Sequence, residues 1–119
     1  MILNWTKTRT ALFFAGSHTD YPGYMMIGSG SGTAVATQTA LIHPEDRQAV
    51  TATDGSTAYK VKWTGDWNSV TMSGLQLSEF GVCISGPGTT GSMWSRAGLP
   101  SIEFDGTNEL RIEETWEVF

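Results

Sequence analysis

The residues best placed to do chemistry in this 119-residue chain are the glycines and serines of "IGSGSG", Ile27 to Gly32. A glycine-rich stretch after an apolar run can cradle a phosphate on its backbone N–H groups, or it can bend one β-segment into the next. A P-loop needs a Lys–Ser/Thr pair at the start of a helix, and the next charged residue after Gly28, Gly30 and Gly32 is Glu45. A dinucleotide fingerprint needs a third glycine where Thr33 stands, followed by a long crossover helix. Ala34–Leu41 is too short and too rich in Thr and Val for that helix. The stretch reads as a structural turn, with glycine's access to positive φ as its reason.

Other candidate chemistry is sparse. His18 and His43 both sit in loop-like sequence, and His43-Pro44-Glu45-Asp46 lacks a second His or Cys to complete a transition-metal site. Asp66 and Asn68 match part of a calcium loop, without its glycine and its distal bidentate Glu. "GSGSG" has the letters of a nucleophile elbow but no helix after it. Cys83, the only cysteine, lies in "FGVCISG" and reads as a small core residue, so an internal disulfide and two-Cys zinc motifs are excluded. No catalytic residue, cofactor or metal is expected, and the protein reads as a non-enzyme. Glu103, Asp105, Glu109, Glu113, Glu114 and Glu117 crowd one predicted hairpin as an acidic outer face.

A net charge of -5 with scattered Lys and Arg argues against nucleic acid and against an anionic membrane surface. No apolar run reaches the length of a membrane span. The opening "MILNWTKTRTALFFAG" has an apolar run too short for a signal-peptide core, and is expected to be a folded strand instead of an export signal. Ala11–Ala15 within it suits a buried strand or the end of a short helix.

These residues must be positioned by β-structure. Five Trp, five Phe and three Tyr among many Thr, Ser and Gly are an all-β composition, and the length allows one domain over 1–119. Strands are expected at Tyr24–Ile27, at Arg47–Ala52 and Thr57–Trp63 around an Asp54-Gly55 turn, and at Leu75–Ile84, which becomes continuously apolar as a central strand does. Thr37–Leu41 suits one helical turn. "TGDWNS" turns the chain and "SGPGTTGS" is a loop. Met93–Ala97 and Ile102–Phe104 read as strands separated by a break at Leu99-Pro100. Asp105-Gly106 then opens a last hairpin whose final strand buries Trp116 and Val118. About eight short, mostly antiparallel strands give a single-domain β-sandwich or open barrel.

Taken in order, the pieces form a pattern: Ile27-Gly28-Ser29-Gly30-Ser31-Gly32, then Thr39-Ala40-Leu41, Glu45 and Arg47, Glu79-Phe80-Gly81-Val82, Arg96, and a terminal Trp116-Glu117-Val118-Phe119. The pattern resembles a family of small tailed-bacteriophage virion proteins of the tail-fibre or minor structural type. Its departures are Val82-Cys83, where an aliphatic–aromatic pair is usual, and the extra Glu of the last strand. The resemblance implies a virion protein, made in the host cytoplasm, that forms homo-oligomers and docks on other virion proteins of the tail, neck or fibre apparatus. A capsid decoration protein is the near alternative. A carbohydrate-binding module contacting host glycan is the alternative of another class; of Trp63, Trp67, Trp94 and Trp116 as a stacking platform, Trp63 and Trp116 fit the core better and Trp67 alone has loop-like neighbours. The expected interface is the glycine loops, Gly28, Gly30, Gly32, Gly86, Gly88 and Gly91, with Trp67 as an aromatic anchor.

Overall fold

A strand that is apolar at every position, as Tyr24–Ile27 and Phe80–Cys83 are, needs cover on both of its faces. The computed structural model, which describes residues 2–4, 6–8, 11, 15–16, 22–38, 40–55, 60–84 and 93–117, supplies that cover. Its strands are β1 (Pro22–Gly28), β2 (Pro44–Ala49), β3 (Ala52–Asp54), β4 (Lys60–Trp67), β5 (Gln76–Ile84), β6 (Ala97–Glu103) and β7 (Leu110–Glu117), with a one-turn helix α1 (Ser69–Met72). They form a four-stranded sheet in the order β2-β1-β5-β6 and a three-stranded sheet in the order β3-β4-β7, and every pairing is antiparallel. The molecule is therefore the expected all-β sandwich, with seven strands among the described residues.

The two faces of the larger sheet bury different clusters. Met25, Ile27 and Val82 face the smaller sheet and pack with Trp63, Trp67 and Ile112. Met26 and Cys83 point the other way, into a second cluster with Leu3, Leu41 and Met93. The period of two along β1 and β5 thus sends alternate side chains into two separate apolar layers. The second layer is closed by the start of the chain: Leu3 N–H donates to the Trp94 carbonyl at 3.0 Å, Asn4 N–H to that of Ala36 at 2.7 Å, and the Thr6 hydroxyl to that of Trp94.

Several elements differ from the sequence reading. The N-terminal stretch expected as a strand is helical at the described residues 4 and 6–8, and Ala11 is helical too, in line with the helix-end alternative for Ala11–Ala15. Residues 37, 38, 40 and 41 are turn and coil, without the expected helical turn. The strand expected over Arg47–Ala52 is two strands in two sheets. Val50 N–H donates to the Gly23 carbonyl beside the larger sheet, and Thr51 N–H to the Thr64 carbonyl in the smaller one, at 3.0 and 2.8 Å. "TGDWNS" is the end of β4 followed by α1, whose N-cap Asn68 accepts from Thr71 N–H at 2.8 Å. Pro100 interrupts nothing, because β6 is an edge strand, where a missing N–H can face outward. Gly106, at φ 95°, does mark a turn, stapled by two hydrogen bonds from Thr107 to Asp105, but it joins strands of different sheets and makes no hairpin. Residues 56–59, the "SGPGTTGS" loop and Val118 lie outside the described residues.

Candidate functional site

The glycine stretch leads out of β1 and the chain returns to start β2, so residues 29–42 form a closed loop at one end of the larger sheet. Its two ends are held by one side chain. Glu79, on the neighbouring β5, accepts from Gly30 N–H at 2.6 Å and His43 N–H at 2.8 Å through Oε2, and from Ile42 N–H at 2.8 Å through Oε1. Arg96 Nε donates to the same Oε1 at 3.1 Å. Both side chains are 0% exposed. Burial pushes the Glu79 carboxyl up, but the hydrogen bonds from His43, Ile42, Arg96 and Gly30 outweigh it and hold the group below its ordinary range. Arg96 reaches on into the loop, with Nη1 donating to the Gly32 carbonyl at 3.2 Å and to Gln38 Oε1 at 3.4 Å. Ser78, beside Glu79 in β5, donates its hydroxyl to the Gly30 carbonyl at 2.6 Å.

The glycine loop does hold an anion, and the anion is the chain's own. Within the stretch the Gly30 N–H is turned onto a carboxylate and the Ser29 N–H onto the His43 carbonyl. The glycines are structural, as expected, but the expected reason applies at Gly32 alone, where φ is 122°. At Gly30 a Cβ would lie 2.1 Å from Glu79 Oε2, and at Gly28 one would lie 2.5 Å from the His43 carbonyl. Those two positions need glycine because Glu79 and the returning strand come so close. The spaced fragments of the sequence pattern, Gly28–Gly32, Glu79 and Arg96, thus meet at one point. Their order in the sequence hinted at a link; their contact was not legible there.

A second constellation on the loop was missed by sequence reasoning. Ser29, His43 and Glu45 converge, with Ser29 Oγ 2.6 Å from His43 Nδ1 and 2.7 Å from Glu45 Oε1, and the ring nitrogen 2.9 Å from that same oxygen. The types are those of a hydrolytic triad, but the wiring is not. A relay needs Ser and the acid on opposite nitrogens of the ring, and here both meet Nδ1. The Ser29 hydroxyl donates to Glu45, so its proton is directed at the carboxylate and not at the ring. The neighbouring N–H groups of Gly30, Ile42 and His43, which an oxyanion would need, are already given to Glu79. The cluster works as a clip between the two ends of the loop, beside the Ser29 N–H bond to the His43 carbonyl at 2.9 Å.

The other predicted interface residues fall in different places. Gly28 and Gly30 line the Glu79 pocket, while exposed Gly32 borders an open cleft with Ala34, Ser78, Gly98, Leu99 and Pro100. Gly86, Gly88 and Gly91 lie outside the described residues. Trp67 is not a loop residue or an exposed anchor: it ends β4, is 2% exposed, and donates its indole N–H to Asp46 at 2.9 Å. Trp63 and Trp94 are buried with it, and Trp116 packs edge-on to Trp63 at 4.4 Å, so these four form no stacking platform at the surface. Glu114, which interrupts the apolar face of β7, is bonded by Ser95 Oγ at 2.5 Å and by Trp116 Nε1 at 2.6 Å. The expected acidic face is divided. Glu103 belongs to the larger sheet, Glu113 lies 3.8 Å from Lys62, and Glu117 is opposite Lys60 in the register. Asp66 is held by Arg111 at 2.7 Å and by the Thr51 hydroxyl at 2.6 Å, which leaves it no calcium-like role. No group of three or more His, Cys, Asp or Glu among the described residues is placed to hold a metal ion.

Comparison with known proteins finds no matching family model, no matching curated protein and no matching solved structure.

Proposed function

We propose that the protein is a non-enzymatic structural protein of a tailed-bacteriophage virion, working by protein–protein assembly in the tail, neck or fibre apparatus. The observation that carries this reading is the use made of its buried charges. Glu79 and Arg96 are spent on fixing the backbone of a surface loop, not on a cleft that would receive a substrate. That loop holds two large apolar side chains in water, Val35 at 53% and Ile42 at 52% exposed. Ile42 Cδ1 lies beside Gly32, at the border of the cleft with Gly98 and Pro100. A rigid loop presenting aliphatic groups next to a small-residue cleft loses little conformational entropy when a partner docks.

Light scattering on the isolated protein, together with sedimentation binding to purified tails and capsids, tests the reading. Self-association or binding to tails is expected, with loss in Val35→Asp and Ile42→Asp and no loss in Val70→Asp, an exposed apolar residue on α1. Binding to capsids alone would move the protein to the capsid surface. A monomer that binds neither particle overturns the assembly reading.

A further inference from the structure

We propose that Glu79 and Arg96 form a conformational lock for residues 29–42, so that the loop can be released as a unit while the sandwich stays folded. The lock is independent of what the loop meets. It rests on which contacts the loop has and which it lacks. Among its described residues only Leu41 belongs to an apolar cluster, the small one on the outer face of the larger sheet. The main core between the sheets takes nothing from the described residues 29–38 and 40–42. What holds the loop is polar. Gly30, Ile42 and His43 donate their N–H groups to Glu79, Gly32 and Gln38 accept from Arg96, and Gly30 accepts from Ser78. Outside this centre stand the Ser29–His43–Glu45 clip and the Asn4 bond to Ala36.

Arg96 and Glu79 are attached to the sandwich by their own strands, β5 for Glu79 and the segment entering β6 for Arg96. They therefore hold the loop from below without being held by it. A buried ion pair contributes weakly to net stability, because desolvation offsets the attraction, and its best use is to select one conformation. With an apolar pair in its place, the three N–H groups at the loop ends have no internal acceptor. Buried and unpaired they are costly, so the loop must open to water to satisfy them. The core of tryptophans and methionines has no such need.

Hydrogen exchange resolved by residue, on the full chain, tests the lock in the double variant Glu79→Met/Arg96→Met. That variant removes both charges and so avoids stranding one in the interior. The amides of Gly30, Ile42 and His43 are expected to exchange roughly tenfold or more faster, as in a local opening, while those of Met26, Val82, Trp63 and Ile112 keep their protection. Glu79→Gln, which keeps the shape and loses the charge, is expected to give a smaller change in the same three amides. Equal acceleration across loop and sheets overturns the proposal, as does failure of the double variant to fold, since the pair would then be holding the sandwich itself. Unchanged loop amides overturn it too, and would assign the loop to the clip and Leu41.

Discussion

Glu79 shows how one side chain can fix both ends of a glycine-rich loop. Its carboxylate is more strongly bound as an anion in the folded chain than in the unfolded one, so its folded pKa lies below the ordinary 4.5. The stability it contributes is complete at pH above that ordinary value, and it is lost as pH falls through the lowered folded value. Acid titration of the fold is therefore expected to show a loss of stability below about pH 4 that is reduced in Glu79→Gln, followed by chemical denaturation at each pH. Gly30→Ala attacks the same contact from the other side. Its methyl group would meet the Glu79 oxygen, Ile42 Cβ and His43 N. Overpacking of this kind costs roughly 1–3 kcal/mol, to be read from the urea midpoint. The same change at Gly55, where nothing lies within 4 Å, is expected to cost far less. Cys83 behaves oppositely to a reactive thiol: burial pushes it up to about 11, with Arg47 pulling only partly back. At pH 8 it is expected to resist alkylation until the protein unfolds, so that labelling tracks global unfolding.

At the scale of the element, β7 illustrates what an inward acid does. Glu114 would be an unpaired polar group in a sandwich core, but Ser95 and Trp116 both donate to Oε2. Trp116 in turn packs edge-on against Trp63 from β4. A double-mutant cycle on Trp63→Leu and Trp116→Leu is expected to return a coupling of about 1 kcal/mol. Local pattern revealed elements like these. Alternating Val61, Trp63 and Lys62 marked β4, and the unbroken apolar run marked β5 as central. What stayed hidden depends on contacts distant in sequence. Nothing in Arg47–Ala52 announces that the chain changes sheets between Val50 and Thr51, because both sides of that corner have strand-like residues. Pro100 looked like a break because its edge position is set by the order of the sheet, which no local window contains. Trp67 had loop-like neighbours in Asp66 and Asn68, yet those residues are a strand end held by Arg111 and a helix cap. The candidate site was half legible. The glycine stretch stood out at once, whereas Glu79 and Arg96, its real partners, carry no local sign of being buried.

The whole molecule is interleaved. Along the chain, β1 and β2 belong to the larger sheet, β3 and β4 to the smaller, β5 and β6 to the larger again, and β7 to the smaller. The pairings that complete each sheet span long stretches of sequence, such as Gly28 with Glu79 and Lys60 with Glu117. Neither sheet can be finished before the chain has visited the other. The time this takes is a property of its own. Closing such large loops has to precede the contacts that reward it, which places refolding in the milliseconds-to-seconds regime of β-sandwiches, not the microseconds of helical bundles. Stopped-flow tryptophan fluorescence is expected to show one refolding phase for the sandwich, because the main apolar core is built from both sheets and neither buries its inner face without the other. During synthesis β4 would stand with β3 as its one partner until β7 emerged, after every strand of the larger sheet had already been made.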